Sequence, residues 1–209
     1  MNIKEEYKKV STPEELLEFM NKYISYGFVA ENKTYDDWSS DGEFQQACRS
    51  IWKLASPEKL LNTGYGHCWD QVELERDWFS KHNYEFKTIF IWFLLDYDNN
   101  YITHTYLVYK DKDDSSWNYF EHADRNNVGI HKFDDYYSAI KFQRQKHIDF
   151  NKQVGNKIDD EILNHLHIYE YEHPAYGSNM NEFLNNIFIS NEITEKVCGG
   201  ANGKKDKSL

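Results

Sequence analysis

The sequence has 209 residues, of which 17% are aromatic, and its formal net charge at pH 7 is −11. A chain of this size hides roughly 70% of its unfolded surface on folding, so it can build a hydrophobic core without disulfides or metal ions. The negative charge repels phosphate backbones and anionic lipids, which argues against nucleic acid and membrane-surface partners.

The first part of the chain is predicted to be helical. Thr12 can cap the first helix and Pro13 suits its first turn, and an apolar stripe then runs from Leu16 to Ile24. The elements predicted after it are a polar aromatic loop over 32–40, a helix over about 42–54, a short helix over 56–62 and a helix over about 68–82.

Beyond residue 83 the pattern becomes that of a sheet. Aromatic and β-branched runs over 84–96, 101–110 and 117–121 are separated by turn-rich segments, which predicts an antiparallel meander. The elements predicted after it are a helix over 134–151, a strand over 165–172 and a helix over 178–188. Helices followed by a sheet indicate the α+β class. We expect a single domain over 1–197 and a disordered tail over 198–209.

Targeting features and cysteine usage suggest a compartment. No apolar run approaches the roughly 18 residues that a membrane helix needs. Residues 1–9 are charged and lack the apolar centre of a secretion signal. Cys48, Cys68 and Cys198 are widely spaced and odd in number, which predicts three thiols rather than a disulfide framework or a zinc site. We therefore expect a cytoplasmic protein without a bound metal.

Cys68 is the first candidate for chemistry. It follows Gly64 and Gly66 at the predicted start of a helix, where glycines allow close approach of a substrate and the helix N-terminus stabilises a thiolate. His104, on a predicted strand, can act as its base. Glu121 ends the next predicted strand and can orient that imidazole, because neighbouring antiparallel strands bring side chains together on one face.

Three segments carrying these residues resemble the transglutaminase-like branch of the papain-type cysteine enzymes. Residues 66–69, Gly-His-Cys-Trp, resemble its Gly-x-Cys-Trp nucleophile segment. Residues 103–108 resemble its histidine strand, and residues 117–121 resemble its Trp-x-x-apolar-Asp strand. The resemblance covers about residues 56–124. The sequence over 68–76, 120–124 and 129–131 is also similar to that of uncharacterised bacterial and phage-associated members of this superfamily.

The resemblance implies a papain-like core and a Cys68–His104–Glu121 triad. The sequence departs from the family at the acid, where Glu121 replaces the usual Asp, and Asp124 is the alternative acid. The implied reaction is attack of the thiolate on an amide carbonyl, followed by release of the acyl-enzyme to water or an amine. The activity would be that of a peptidase, an amidase, a deamidase or an acyltransferase.

The tetrahedral intermediate of this chemistry needs hydrogen-bond donors for its oxyanion. The Cys68 backbone N–H is the natural first donor. Trp38, Tyr65 and Trp69 are the candidates for the second donor, because indole and phenol groups donate hydrogen bonds, and the spacing does not select one of them. The chemistry requires no cofactor.

The expected partner is a peptide or protein substrate, and the aromatic and acidic composition favours a cationic or aromatic peptide. Two other functions remain open. The chain could be a binding module that keeps the cleft without turnover, which the glutamate at the acid position and the abundant Tyr and Trp favour. It could also be a metal-dependent hydrolase that uses His165 and His167, which a strand places on one face.

Overall fold

The computed structural model describes residues 2–36, 42–95 and 101–198. Within these residues the chain forms a mixed α+β fold with nine helices and a six-stranded antiparallel sheet, which confirms the predicted class. The helices are α1 (Ile3–Tyr7), α2 (Pro13–Tyr23), α3 (Glu43–Ser50), α4 (Pro57–Thr63), α5 (Cys68–Lys81), α6 (Tyr136–Gln153), α7 (Asp160–Leu163), α8 (Met180–Phe188) and α9 (Thr194–Cys198). The strands are β1 (Phe28–Ala30), β2 (Lys33–Tyr35), β3 (Phe86–Leu94), β4 (Tyr101–Lys110), β5 (Trp117–Glu121), β6 (Gly129–Phe133), β7 (Leu166–Tyr171) and β8 (Asn191–Glu192).

The predicted start of the first long helix is confirmed in its details. The Thr12 side chain accepts a hydrogen bond from the Glu15 backbone N–H at 3.2 Å, and Pro13 is the first residue of α2. A capping side chain here satisfies one of the backbone donors that the first helical turn leaves without an acceptor. The apolar stripe of α2 then packs into the core, with Leu16 and Met20 fully buried.

The sheet has the strand order β6-β5-β4-β3-β7-β8, with every neighbouring pair antiparallel. The predicted meander is β3-β4-β5, and the β3–β4 ladder is the longest, from Phe86 opposite Tyr109 to Leu94 opposite Tyr101. The β4–β5 ladder is shorter because it ends at Leu107 opposite Phe120. The N-terminal half of β4 therefore extends beyond β5.

Alternation along the strands covers both faces of the sheet with apolar side chains. Leu107 of β4 belongs to the buried cluster with Trp78 and Phe79 of α5, whereas its neighbour Val108 belongs to the cluster with Ile140 of α6. Because side chains of a strand alternate between faces, α5 and α6 lie on opposite faces of the sheet. His104 shares the parity of Val108, but it lies in the part of β4 that extends beyond β5, where it lines the same cleft as Cys68 at the start of α5.

Several segments differ from the prediction. The helix predicted over 42–54 ends at Ser50 because the chain turns there, and the Leu54 backbone N–H bonds the Ser178 carbonyl at 2.9 Å. Part of the predicted loop forms the β1–β2 hairpin, whose turn places Glu31 and Asn32 at positive φ. The sequence predicts a disordered tail from residue 198, whereas Cys198 is the last residue of α9. The rest of that tail lies outside the described residues.

Membrane crossing is not supported by any helix in the described ranges. The longest, α6, contains charged residues throughout, and no described helix is both long enough and apolar enough to span a bilayer.

Candidate active site

The turn before Cys68 is fixed by a second segment of the chain that runs beside it. Ser25 and Tyr65 form a parallel bridge, and backbone hydrogen bonds join Gly66 N–H to the Ser25 carbonyl at 3.1 Å and Gly27 N–H to the Gly66 carbonyl at 3.3 Å. A Cβ at Gly66 would lie 2.5 Å from Leu60 Cδ1 and 3.1 Å from Asp70 Cβ, so any other residue at this position would force the Leu60 side chain to move. As a result, Tyr26 lies beside the start of α5.

His67 and Asp70 cap the N-terminus of α5. His67 Nδ1 accepts the Trp69 backbone N–H at 3.1 Å, and Asp70 Oδ2 accepts the His67 backbone N–H at 3.2 Å. Asp70 also accepts hydrogen bonds from the Trp52 indole and the Ala55 backbone N–H, at 3.1 and 2.8 Å. These bonds attach the start of α5 to the chain that links α3 to α4. The Asp70 carboxylate is therefore occupied with structural donors.

Gln71 connects the turn before Cys68 to the end of β5. Its Nε2 donates to the Gly66 carbonyl at 2.6 Å, and its Oε1 lies 2.6 Å from His122 Nδ1. Because Gln71 donates through Nε2, its Oε1 is the acceptor and His122 Nδ1–H is the donor. Burial lowers the pKa of His122 to about 4, so this imidazole is neutral at pH 7. The side chain of Gln71 thereby fixes α5 relative to β5.

His104 and Glu121 form a buried pair at the end of the β4–β5 ladder. Nε2 of His104 lies 2.7 Å from Oε2 of Glu121, and the two residues are 8% and 2% exposed. Oε2 of Glu121 also accepts the Tyr119 hydroxyl, and Oε1 accepts the Asp124 backbone N–H at 2.7 Å. Burial raises the pKa of Glu121, but the His104 cation and these donors outweigh it, so the pKa lies below its usual value.

Cys68 is the first residue of α5 and reaches the same imidazole. Its sulfur lines the same cleft as His104 and His67 and interacts electrostatically with both side chains. Nε2 of His104 is engaged with Glu121, which leaves Nδ1 as the nitrogen available to the sulfur. The structure therefore brings together the three residues that the sequence predicted as a triad, with the imidazole between the sulfur and the carboxylate.

The electrostatics of this cluster favour an ion pair. Burial opposes ionisation of Cys68, yet its interactions with the side chains of His104 and His67 lower the pKa of the thiol to about 6. Burial lowers the pKa of His104, but the Glu121 carboxylate and the Cys68 sulfur raise it well above its usual value. At pH 7 the pair is then a thiolate beside an imidazolium, the reactive form of a cysteine nucleophile.

Asp124, the alternative acid, is used by the turn that follows β5. Its side-chain oxygens accept the Asn126 backbone N–H at 3.0 Å and the Asn127 Nδ2 at 2.6 Å. The contact of Asp124 with Glu121 is made by its backbone N–H. Asp124 therefore supports the carboxylate that contacts His104, while its own carboxylate is directed to other donors.

A cleft with a cavity of about 350 Å³ opens at Cys68 and His104. Aromatic and apolar side chains form much of its wall: Tyr26, Phe44, Trp52, Trp69, Tyr101, Phe150 and Met180. Asp124 is the one carboxylate among the described residues that line it, whereas Arg49 and Arg125 both line it. The acidic cleft suggested by the composition is therefore not found in this part of the chain.

Of the two candidate oxyanion donors that the structure describes, Trp69 lines the cleft and Tyr65 does not. The Trp69 ring is buried and stacks on Phe183 with centroids 4.4 Å apart. Tyr65 contributes a backbone bridge to Ser25 and is not among the residues that line the cleft. Trp38 lies outside the described residues. The Cys68 backbone N–H begins α5 and has no acceptor within the helix.

Tyr26 is a site residue that sequence reasoning missed. Its side chain lines the cleft together with Cys68 and interacts with the Cys68 sulfur. Burial and the neighbouring Cys68 and Cys48 thiols raise the pKa of Tyr26 well above its usual value, so its hydroxyl keeps the proton that it donates. The contact depends on the Ser25–Tyr65 bridge, and no periodicity or motif in the sequence points to it.

The remaining histidines do not gather into a metal site within the ranges that the structure describes. His167 Nδ1 lies 2.8 Å from Glu192 Oε1 on the exposed β7–β8 edge. No group of three or more His, Cys, Asp or Glu side chains among the described residues is arranged to hold a metal ion.

Comparison with known proteins identifies no relative of this chain. No family model matches the chain, and no match was found among curated proteins or among solved structures. Inference about function therefore depends on the geometry of the cleft and on the motifs around it.

Proposed function

We propose that this protein is a transglutaminase-like cysteine enzyme that attacks an amide bond through Cys68, with a papain-like arrangement of its helix and sheet. The observation that carries the proposal is the position of His104, which lines one cleft with Cys68, interacts electrostatically with its sulfur and lies 2.7 Å from Glu121 Oε2. A nucleophile, a base and an orienting acid in one line are the elements of acyl transfer on many unrelated folds.

In the proposed reaction the Cys68 thiolate attacks the amide carbonyl carbon and forms the carbon–sulfur bond of a tetrahedral intermediate. The His104 imidazolium then gives its proton to the leaving nitrogen, and the carbon–nitrogen bond breaks to leave a thioester and a free amine. Neutral His104 next takes a proton from water as the water attacks the thioester carbon. The second tetrahedral intermediate then collapses: the carbon–sulfur bond breaks, the carboxylic acid is released, and the Cys68 thiolate beside the His104 imidazolium is restored. Glu121 holds the tautomer and the orientation of the ring throughout.

The carbonyl oxygen becomes an oxyanion in this reaction and needs donors close to the sulfur. The Cys68 backbone N–H is one, because α5 begins at this residue. The Tyr26 hydroxyl is the second donor that we propose, because Tyr26 lines the cleft with Cys68 and interacts with its sulfur. A hydroxyl that keeps its proton across the neutral pH range is suited to this role.

We favour hydrolysis over transfer to an amine because water is always available as the acceptor. Deamidation and transamidation differ from hydrolysis only in the amide attacked or in the nucleophile that releases the thioester. A peptide substrate in the described part of the cleft would lie against both α3 and the turn after β5, because Arg49 and Asp124 line the cleft.

Thiol labelling provides the first test of this proposal. Limiting iodoacetamide at pH 7 is expected to alkylate buried Cys68 in preference to exposed Cys198, because the Cys68 pKa is about 6. Adducts would be located by peptide mass spectrometry. Labelling of Cys198 alone would instead support a cleft without an activated nucleophile and would contradict the proposed activity.

Turnover provides the second test. A fluorogenic peptide-amide library would identify a substrate, and Cys68→Ala is expected to reduce its hydrolysis to background while Cys198→Ser leaves it unchanged. A thioester adduct on Cys68, seen by intact-mass measurement after acid quenching, would identify the intermediate. Full turnover by a folded Cys68→Ala protein would show that the nucleophile is wrongly assigned.

A further inference from the structure

Two arginines from separate segments line the cleft around Cys68. Arg49 lies on α3, and Arg125 lies in the turn between β5 and β6. Both residues are exposed. Among the residues that the structure describes, the arginine found in an ion pair is Arg76, which lies 3.3 Å from Glu73 and does not line the cleft. Neither cleft guanidinium has a carboxylate partner in the described chain.

The charge of the cleft is opposite to that of the protein. The whole chain carries a formal net charge of −11, so most of its surface repels anions. Among the described residues that line the cleft, by contrast, there are two guanidiniums and a single carboxylate, Asp124, whose oxygens already accept hydrogen bonds from Asn126 and Asn127. The start of α5 adds the positive end of a 14-residue helix at the same place.

We propose that this cleft recognises substrates that carry a carboxylate close to the scissile amide, with Arg49 and Arg125 as the groups that bind it. The inference rests on the proposed function, because it names the substrate class of the same site. A guanidinium binds a carboxylate through two parallel hydrogen bonds, which gives direction as well as attraction. The carboxylate is either the side chain of an acidic residue or the C-terminal group of a peptide.

The aromatic wall fits the rest of such a substrate. Phe44 and Tyr101 line the cavity together with Arg49, so the apolar stem of a peptide can pack on the rings while its carboxylate meets the guanidinium. A cationic peptide would place its charge against two arginines at this position, and the cleft therefore selects against it.

Two alkylating agents of nearly equal size test the charge preference. Iodoacetate and iodoacetamide both alkylate the Cys68 thiolate: the sulfur bonds to the CH2 carbon of the reagent and iodide leaves. Iodoacetate carries a negative carboxylate, whereas iodoacetamide is uncharged. The ratio of their rate constants at Cys68 removes the effect of any change in the thiolate fraction. We expect Arg49→Gln and Arg125→Gln each to lower the iodoacetate-to-iodoacetamide ratio by about two- to tenfold at low salt.

Lys59→Gln is the matched control because it removes one positive charge from an exposed position outside the cleft. It is expected to leave the ratio within about 1.5-fold of wild type. If both arginine variants behave like Lys59→Gln, recognition of anions is wrong while the proposed activity stands. If neither reagent alkylates Cys68 at pH 7 in the wild-type protein, the proposed function itself fails.

The source of the carboxylate is resolved by protection of Cys68 from iodoacetamide. The three competing peptides are acetyl-Phe-Glu-amide, acetyl-Phe-Gln with a free C-terminal carboxylate, and the neutral acetyl-Phe-Gln-amide. Stronger protection by the first peptide supports an acidic side chain, and stronger protection by the second supports a C-terminal carboxylate. Equal protection by all three would overturn the proposal.

Discussion

Replacing His104 by glutamine tests the electrostatic cause of the proposed reactivity. His104 supplies the largest contribution that lowers the pKa of Cys68, ahead of His67, while burial acts in the opposite direction. Glutamine keeps a polar side chain at this position but cannot carry a positive charge. The midpoint of the pH dependence of Cys68 alkylation is therefore expected to rise from about 6 toward the ordinary thiol value of 9.0.

The size of the effect depends on the pH at which it is measured. If the pKa of Cys68 rises from about 6 to 9, the fraction of Cys68 present as thiolate at pH 7 falls from about 90% to about 1%. The more basic thiolate is intrinsically about 15- to 30-fold more nucleophilic, because reactivity rises with pKa with an exponent of about 0.4–0.5. The net loss of alkylation rate is then about 3- to 6-fold at pH 7 and about 25- to 50-fold at pH 5.5.

The assay is the rate of Cys68 alkylation by iodoacetamide from pH 4.5 to 9.5, with adducts mapped by mass spectrometry and folding checked by circular dichroism. A midpoint for His104→Gln within about half a pH unit of wild type would refute the reasoning. Because His104→Gln leaves Glu121 without its cation, Glu121→Gln provides a second variant. It removes the charge that holds the His104 pKa high, so its midpoint is expected to lie between those of wild type and His104→Gln.

Three further predictions concern stability and the neighbours of the sulfur. Burial and then the Glu121 charge raise the pKa of buried Glu75 above 4.5, so the ionised carboxylate destabilises the folded state. Glu75→Gln should therefore raise Tm at pH 7, and the gain should disappear as the pH falls through 4.5. Gly66→Ala should cost about 1–3 kcal/mol in urea unfolding, and combining it with Leu60→Ala should cost less than the sum of the two changes. Tyr26→Phe should raise the Cys68 alkylation midpoint, and an unchanged midpoint would exclude a donor role for the hydroxyl.

Much of the scaffold could be predicted from local signals. The cap at Thr12 and the strands β3, β4 and β5 are each indicated by sequence patterns only a few residues long. The structure contains the cap and all three strands. The neighbourhood of His104 and Glu121 also has a local basis, because β4 and β5 are joined by a short turn and pair in register. Strand pairing alone does not predict that this ladder ends at Leu107. It also does not predict that the start of α5 approaches His104 beyond that point.

The parts of the site that were missed depend on contacts between distant segments. Tyr26 reaches the sulfur because Ser25 pairs with Tyr65 in parallel, and an isolated bridge leaves no periodic pattern in the sequence. Gln71 was predicted only as part of a helix, and its role depends on His122 lying opposite it. Single polar side chains carry no signal of the partner they meet until the packing of the surrounding elements is known.

Two buried carboxyl groups near the sulfur, Glu121 and Glu75, have opposite protonation preferences, and their surroundings explain why. Glu121 accepts hydrogen bonds from Tyr119 and the Asp124 backbone and faces the His104 cation, so it is stable as an anion. Glu75 is 3% exposed and its Oε2 has no hydrogen-bond partner among the described residues, so burial raises its pKa. The charges of Cys68, His104 and Glu121 then alternate in sign, and a neutral Glu75 adds no anion that would oppose the thiolate. Environments that separate the pKa values of two nearby carboxyl groups are a feature by which acid and base roles are recognised in enzymes, and here they single out Glu121 as the partner of the imidazolium.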